Sequence, residues 1–485
     1  MDSRQSVSFL VGRAMLAIAL MAGFYLLALS IAGILAYLPI AELSYAHRIH
    51  PKLALFCLIS AGVIVWSIIP RFDKFTPPGP QLQPAQNPKL FDLLHRIAGQ
   101  TQQQMPAEVY LCPDVNAWVA QRGGWMGFGS RRVMGVGLPL LEVFTVGEFG
   151  AVLAHEFGHF HGGDTRLGPW IYKTRGMIGR TLAGLGNSVI QKPFLWYGKL
   201  YLRITHAVSR RQEYLADELA ARTVSPQALI SGLKKVHGAA LGFQAYLNTE
   251  FAPVFSSGLR SPFLEGFTRY RASAKISEAV ARSLDSELRE GKPSPYDTHP
   301  ALKDRLAALE AVHAATQWND DTPALNLISD YKQYETALLA ALTGNEKAGE
   351  LPFVPWEEVG TKVYVPMWKK TLESNAADLK GQTVADVYTL ARDPEAFIAK
   401  VAGEAAASAT LEQKQGATVN ILGAALSLAL ASHGWKVEAE LGESIHLNKD
   451  SCAIAPFELV VSVVQGKLDR QEWDRLLGES GSLAL

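Results

Sequence analysis

Residues 14 to 40, AMLAIALMAGFYLLALSIAGILAYLPI, contain no charged side chain. A helix crosses the hydrocarbon core with about 20 apolar residues, and a signal peptide's apolar region runs to only about 7–15. A second apolar run, LALFCLISAGVIVWSII (53 to 69), lies between Lys52 and Arg71. In lipid the backbone must satisfy its own hydrogen bonds, which for two such runs means two helices. The sequence therefore predicts a transmembrane helical hairpin that anchors the chain through residues 1–75. Two buried helices of a soluble domain form the competing reading, and the lack of polar residues argues against it. Orientation is not written in the charges. Arg4, Arg13, Arg71 and Lys74 flank the hairpin while Arg48 and Lys52 occupy its loop, so the basic residues barely separate the two sides.

The remaining chain is long enough for two or three domains. Lys plus Arg (46) equals Asp plus Glu (46), and no basic domain or recognition motif points to nucleic acid. Cys57, Cys112 and Cys452 are far apart and form no CxxC pair, which argues against a disulfide scaffold or a cysteine zinc site and is compatible with a reducing compartment.

Beyond the hairpin, a proline-rich linker at 76–88 reads as extended. A globular domain is then expected over 89–342. AEVYLCP, NAWVAQ and SRRVMGVG read as short strands, and NPKLFDLLHRIAGQTQ as a helix. Between Thr165 and Gln212 there is no Asp or Glu, while nine Lys or Arg alternate with Trp and Tyr. No charge-free window of spanning length occurs there, so 165–208 reads as a segment lying in the headgroup layer of an anionic leaflet. That reading favours a catalytic region on the cytoplasmic face; an ordinary solvated basic surface is the alternative. TGNEKAGELPFVPW (343–356) marks a boundary, and residues 350–485 form a smaller C-terminal region in which 417–432 reads as a buried helix.

The chemistry lies in AVLAHEFGHFHGGD (151–164). His155 and His159 stand one helical turn apart and can direct two imidazoles at one point, with Glu156 beside them. Two histidines alone do not make a hydrolytic metal site. In SRRQEYLADELA, Glu213 and Asp217 are also four apart, among alanines that allow close helix approach. Glu213 would complete a two-His, one-carboxylate zinc site with an open position for water, and Asp217 could fix the tautomer of a ligand histidine. The alternative is an exposed acidic face paired with Arg210 or Arg211.

These features together resemble the membrane zinc metalloproteases typified by HtpX and the CAAX prenyl proteases. The resemblance covers about 85–315: Asn116-Ala117, HEFGH with Asp164 following, Glu213 with Asp217, and THPALKDR with His299, Pro300 and Arg305. It implies a zincin-like domain on a membrane anchor, within a predominantly helical α+β chain. It further implies one Zn2+ per chain held by His155, His159 and Glu213, with Glu156 as catalytic base. His299 and Arg305 are implied to lie near the reacting carbonyl. Bottom-up, Pro300 suits a first helical turn that Thr298 or His299 caps. Asn116 and Ala117 are implied to border the substrate cleft, where an extended peptide could add as a strand.

The expected activity is endopeptidase action on peptide or membrane-protein substrates, including misfolded ones, at the inner membrane of a bacterium with the catalytic side cytoplasmic. A non-catalytic adaptor with a structural zinc, or a zinc hydrolase of non-peptide substrates, are the rival readings. The chain departs from the resemblance between the two motif helices, where HtpX-type proteins carry further hydrophobic helices. With only two clear spans, the enclosed chamber of the prenyl proteases is also not expected. His161 reads as a surface residue, Asp164 as a brace, and His206 as an outlying neighbour of the site.

Overall fold

The computed structural model describes residues 3–72, 74–124, 129–160, 168–291, 299–313, 318–478, 480 and 483–485. The chain is a predominantly helical α+β protein that divides into two compact units, Met1–Ala240 with Arg282–Leu342, and Leu241–Ala281 with Thr343–Leu485.

In the first unit, helices α1 (Ser3–Ala46) and α2 (Pro51–Ile68) form the hairpin that the apolar runs predict. Both are long and apolar enough to cross a membrane, α1 over Ile18–Ala46. Leu26, Ile34, Leu55, Leu58 and Ile59 are exposed, which in water would be costly and in lipid is expected.

The proline-rich linker is more than a spacer. Leu82 N–H donates to Val109 O (2.8 Å) and Leu111 N–H to Pro80 O (2.9 Å), so residues 80–82 lie along strand β1 (Glu108–Cys112). Proline is tolerated in such a position because an edge segment need not donate at every residue. Gly79 is required by close approach: a Cβ there would lie 2.0 Å from Leu111 O. Strands β2 (Ala117–Arg122) and β3 (Arg131–Gly137) complete a sheet of order β1-β3-β2, β1 parallel and β2 antiparallel to β3. With the linker on β1, the open edge of this sheet is β2. Gly137 N–H donates to Asn116 O at 2.8 Å, which makes the even-numbered residues of β2 the hydrogen-bonded partners of β3. By antiparallel alternation, the N–H and C=O groups of Ala117, Val119 and Gln121 point out of that edge.

Helix α3 (Pro88–Gln100) buries Leu90, Leu94 and Ile97. After the short helix α4 (Leu138–Val143), α5 (Val146–Gly158) starts at a capping box. Thr145 Oγ1 accepts from Glu148 N–H (3.3 Å), and Glu148 accepts from Thr145 N–H (2.9 Å). Ser231 and Lys235 also donate to the Glu148 carboxylate, at 2.5 and 2.8 Å, so the start of the motif helix is pinned from outside as well.

The basic interval between the motif helices forms a second helical pair, α6 (Gly168–Leu185) and the first half of α7 (Gln191–Thr223). It packs against the apolar hairpin through a shared core of Phe24, Ile64, Met177, Ile178, Phe194 and Tyr201. Tyr197 Oη donates to Leu20 O at 2.5 Å, and the hydroxyls of Ser67 and Thr181 meet at 2.6 Å. Charge patterning masked this pairing in the sequence, because the apolar residues that join the hairpin core are interleaved with basic ones, and one of these, Arg180, itself donates to the Ser67 carbonyl of α2.

The second unit has its own core and its own antiparallel sheet, β4 (Lys436–Glu438), β5 (His446–Lys449) and β6 (Cys452–Ile454). Leu411–Ser432 is also long and apolar enough to span a membrane, but Leu422, Leu426 and Leu430 are fully buried in this unit's core with Trp473 and Val460. Residues 241–281, which the sequence analysis groups with 89–342, cluster instead with 343–485. Ser261 Oγ donates to Val354 O (2.7 Å) and Trp356 Nε1 to Pro262 O (3.0 Å). Nothing in the helical periodicity of that segment announces the switch of core.

Candidate metal centre

Helices α5 and α7 approach so closely that a Cβ on Gly158 would lie 2.9 Å from Ala216 Cα. Ala216 and Ala220 are fully buried at the same seam. Small residues on both helices thus set the spacing at which the polar side chains flanking them meet.

His155 and His159 stand on α5 and at its C-terminal end, their ring centroids 4.7 Å apart. Glu213 reaches them from α7: Oε2 is 3.5 Å from His155 Nε2, and Oε1 is 3.6 Å from His159 Nε2. One donor atom from each of the three residues falls within 4.8 Å of the others. Tetrahedral zinc with bonds of about 2.0–2.1 Å separates its ligand atoms by about 3.4 Å, close to the distance from each Glu213 oxygen to its nearer imidazole. The polar bookkeeping agrees. Glu213 Oε2 is buried and surrounded by His155, His299 and Arg305 nitrogens, yet no hydrogen bond is aligned on it. A buried carboxylate oxygen left in that condition suits a cation at the centre of the cluster.

Asp217, one turn beyond Glu213, lies with Oδ1 2.9 Å from His155 Nδ1, the ring nitrogen opposite the one facing Glu213. Arg305, on helix Leu302–Glu310, binds the same carboxylate in two places, Nε to Oδ2 at 2.8 Å and Nη2 to Oδ1 at 2.7 Å. Both side chains are almost fully buried. The family resemblance implies that Arg305 lies near the reacting carbonyl. The geometry gives it a bidentate carboxylate partner, with Glu213 Oε2 a further 3.7 Å away. The missed signal is the spacing of Asp217 itself: a buried acid one turn from a ligand needs a cation, and Arg305 is that cation.

His299 Nδ1 lies 3.0 Å from Glu213 Oε2, and its side chain is 62% exposed, so the ring stands at the mouth of the centre. Thr298 lies outside the described residues, as do His161 and Asp164. His206 is buried on α7, two turns before Glu213. Asn116 is exposed and spends its carbonyl on Gly137, whereas Ala117, with a buried side chain, presents its backbone to the open edge of β2.

Glu156 is half-buried on α5, next to His155. A hydrogen bond from the Val119 backbone ties it to the open edge of β2, a contact that the sequence analysis does not contain. Its position follows from Ala117 by strand parity, two residues on. Burial, aided by the Glu213 charge, raises the Glu156 carboxyl to about 7, against the pull of His155 and His299. Burial lowers His159 to about 4, and the His155 charge adds to it. Burial would also lower His155, but Asp217 and Glu213 outweigh it and lift the ring to about 9. Burial works against ionised Glu213, and contacts from His155 and His299 reverse it, so this carboxylate stays charged well below the usual range. The set therefore offers an anionic oxygen and an easily neutral imidazole, with a second imidazole that would exchange its proton for a metal.

The profile of Peptidase family M48 matches residues 84–313, the segment that carries all of these side chains. A protein described as Protease HtpX homolog from Tropheryma whipplei (strain TW08/27) is 30% identical over 178 residues, 33% of this chain and 59% of that protein. Protease HtpX from Stutzerimonas stutzeri (strain A1501) is 24% identical over 233 residues, 43% of this chain and 70% of that protein. The match thus spans less than two thirds of the Tropheryma relative. No solved structure matches the chain.

Proposed function

We propose that the chain, which matches peptidase family M48 over residues 84–313 and is similar to proteins described as Protease HtpX, is a membrane-anchored, zinc-dependent endopeptidase. The observation that carries the proposal is the meeting of two imidazoles and one carboxylate from separate helices, with a buried carboxyl of raised pKa beside them.

His155, His159 and Glu213 hold the ion, and Asp217 with Arg305 orients His155 behind it. Zinc in that position supplies Lewis acidity, polarising the scissile carbonyl and acidifying the attacking water. An extended peptide pairs with the outward N–H and C=O groups of Ala117 and Gln121 and with the Val119 C=O, as added strands do, while the Val119 N–H stays on Glu156. Asn116 flanks the end of that strand. Glu156, held by Val119 at the same edge, takes the proton from water and delivers it to the leaving amine. His299, at the exposed rim, donates to the oxygen on which charge develops. Arg305 acts through Asp217 and by its field rather than by contact with substrate.

Substrates of this reading are unfolded or damaged membrane proteins, whose extended segments can reach an open strand edge near the bilayer. The anchor and the basic helical pair fit an inner-membrane enzyme with its catalytic side cytoplasmic. In detergent, purified protein should cleave unfolded casein, lose that activity on treatment with 1,10-phenanthroline, and regain it with stoichiometric zinc. Activity that survives complete metal removal would refute the proposal.

A further inference from the structure

Two arginines gather where the second apolar helix ends. The Arg180 guanidinium on α6 donates through Nε (3.3 Å) and Nη2 (3.0 Å) to Ser67 O, in the last turn of α2. Arg71 follows that helix by three residues, stacks over Trp66 at 5.7 Å, and is near enough to Arg180 for their charges to repel. Capping the C-terminal carbonyls of α2 explains part of Arg180. It does not explain a second guanidinium at the same end of the helix, where Arg71 stacks over Trp66. Among the described residues neither arginine has a carboxylate partner; Asp73, two residues from Arg71, lies outside them.

The level of this cluster can be fixed against α2. Thr181 meets Ser67, and Gly184 packs on Val63, so α6 overlaps only the final turns of that helix. Five residues of helix rise cover about 8 Å, close to the depth of one headgroup layer and far short of the ~30 Å core. Trp66 (67%) and Phe72 (72%) are exposed at the same end of α2, and Trp196 (66%) at the start of α7. Exposed aromatics beside cations mark the membrane interface.

We propose that Arg71 and Arg180 form a binding site for the phosphate of an anionic phospholipid, with Trp66 packing on its glycerol and upper acyl region. The occupant is a lipid because the site sits at the end of a spanning helix and has an apolar wall on its membrane side. Its charge complements two guanidiniums that meet no carboxylate among the described residues.

The test uses full-length protein in non-ionic detergent, with retained lipid measured by native mass spectrometry after addition of phosphatidylglycerol or phosphatidylcholine. Wild type should retain phosphatidylglycerol in preference. Each guanidinium removed should cut that preference by about fivefold, so Arg71→Gln/Arg180→Gln approaches parity while Arg71→Lys/Arg180→Lys keeps most of it. Arg71→Gln alone, which disturbs no backbone contact, covers the case in which loss of Arg180 unfolds the helical pair. An unchanged preference in Arg71→Gln would overturn the proposal. So would inorganic phosphate displacing phosphatidylglycerol as readily as added lipid does, since the site would then be a general oxyanion site.

Discussion

Glu156→Gln protein should keep its metal and its fold yet lose about 10²–10⁴ in kcat/KM, the range assigned to a positioned general acid–base group. Glutamine preserves the side-chain shape and can still accept from Val119 N–H, but it cannot take a proton from water. Zinc content should be unchanged, because the proposed ligand atoms belong to His155, His159 and Glu213. In the metal-free protein the substitution should also stabilise, and the sign follows from linkage. Glu156 is raised from 4.5 to about 7 in the folded chain, so its ionisation costs stability that is lost as pH rises from about 4.5 to 7. The neutral glutamine removes that cost, and the gain in Tm over wild-type apoprotein should be larger at pH 8 than at pH 4. Full activity in the variant would remove Glu156 from the mechanism.

The second large effect concerns Asp217 and Arg305. Taking away one member of a buried, bidentate pair strands the other charge, at a cost of about 3–5 kcal/mol. Asp217→Leu or Arg305→Met alone should lower Tm by about 10 °C. The double variant should recover much of that loss, since replacing both partners by apolar groups removes the stranded charge. Zinc affinity should not recover with it. His155 would still lack the carboxylate at its Nδ1, a loss that typically weakens metal binding 10–100-fold. Tm and chelator-competition affinity, measured on the same four proteins, separate the two roles. Zinc affinity restored together with stability would show that Asp217 only supports the fold.

How much of this was legible beforehand differs by element, for physical reasons. The apolar hairpin announces itself because lipid leaves a continuous run of apolar residues no other solution. The candidate metal-binding residues stand out because a helix repeats its face every four residues, so His155/His159 and Glu213/Asp217 each share a face without knowledge of the fold. What joins the two helices was only half visible. The alanines of α7 were read as permitting close approach, but Gly158 opposite Ala216 was not. Long-range pairing was not legible. Residues 80–82 pair with β1 through backbone groups that carry no sequence signature, and a proline-rich composition pointed to an unattached linker. Arg305 illustrates the same limit: its partner lies 88 residues away, and resemblance alone suggested a role in contact with substrate. Likewise, the basic residues of the interval between the motif helices hid the apolar face on which Phe194 and Tyr201 join the hairpin core.

The most direct test is the metal content of purified wild-type and Glu213→Ala protein, by elemental analysis after dialysis against a weak chelator. Convergence of two helices on one ion predicts one zinc per wild-type chain and near-complete loss in the variant, whose histidine pair alone binds too weakly to survive dialysis. Stoichiometric zinc retained by Glu213→Ala would mean that the carboxylate of α7 is not a ligand, and the site as described here would be wrong.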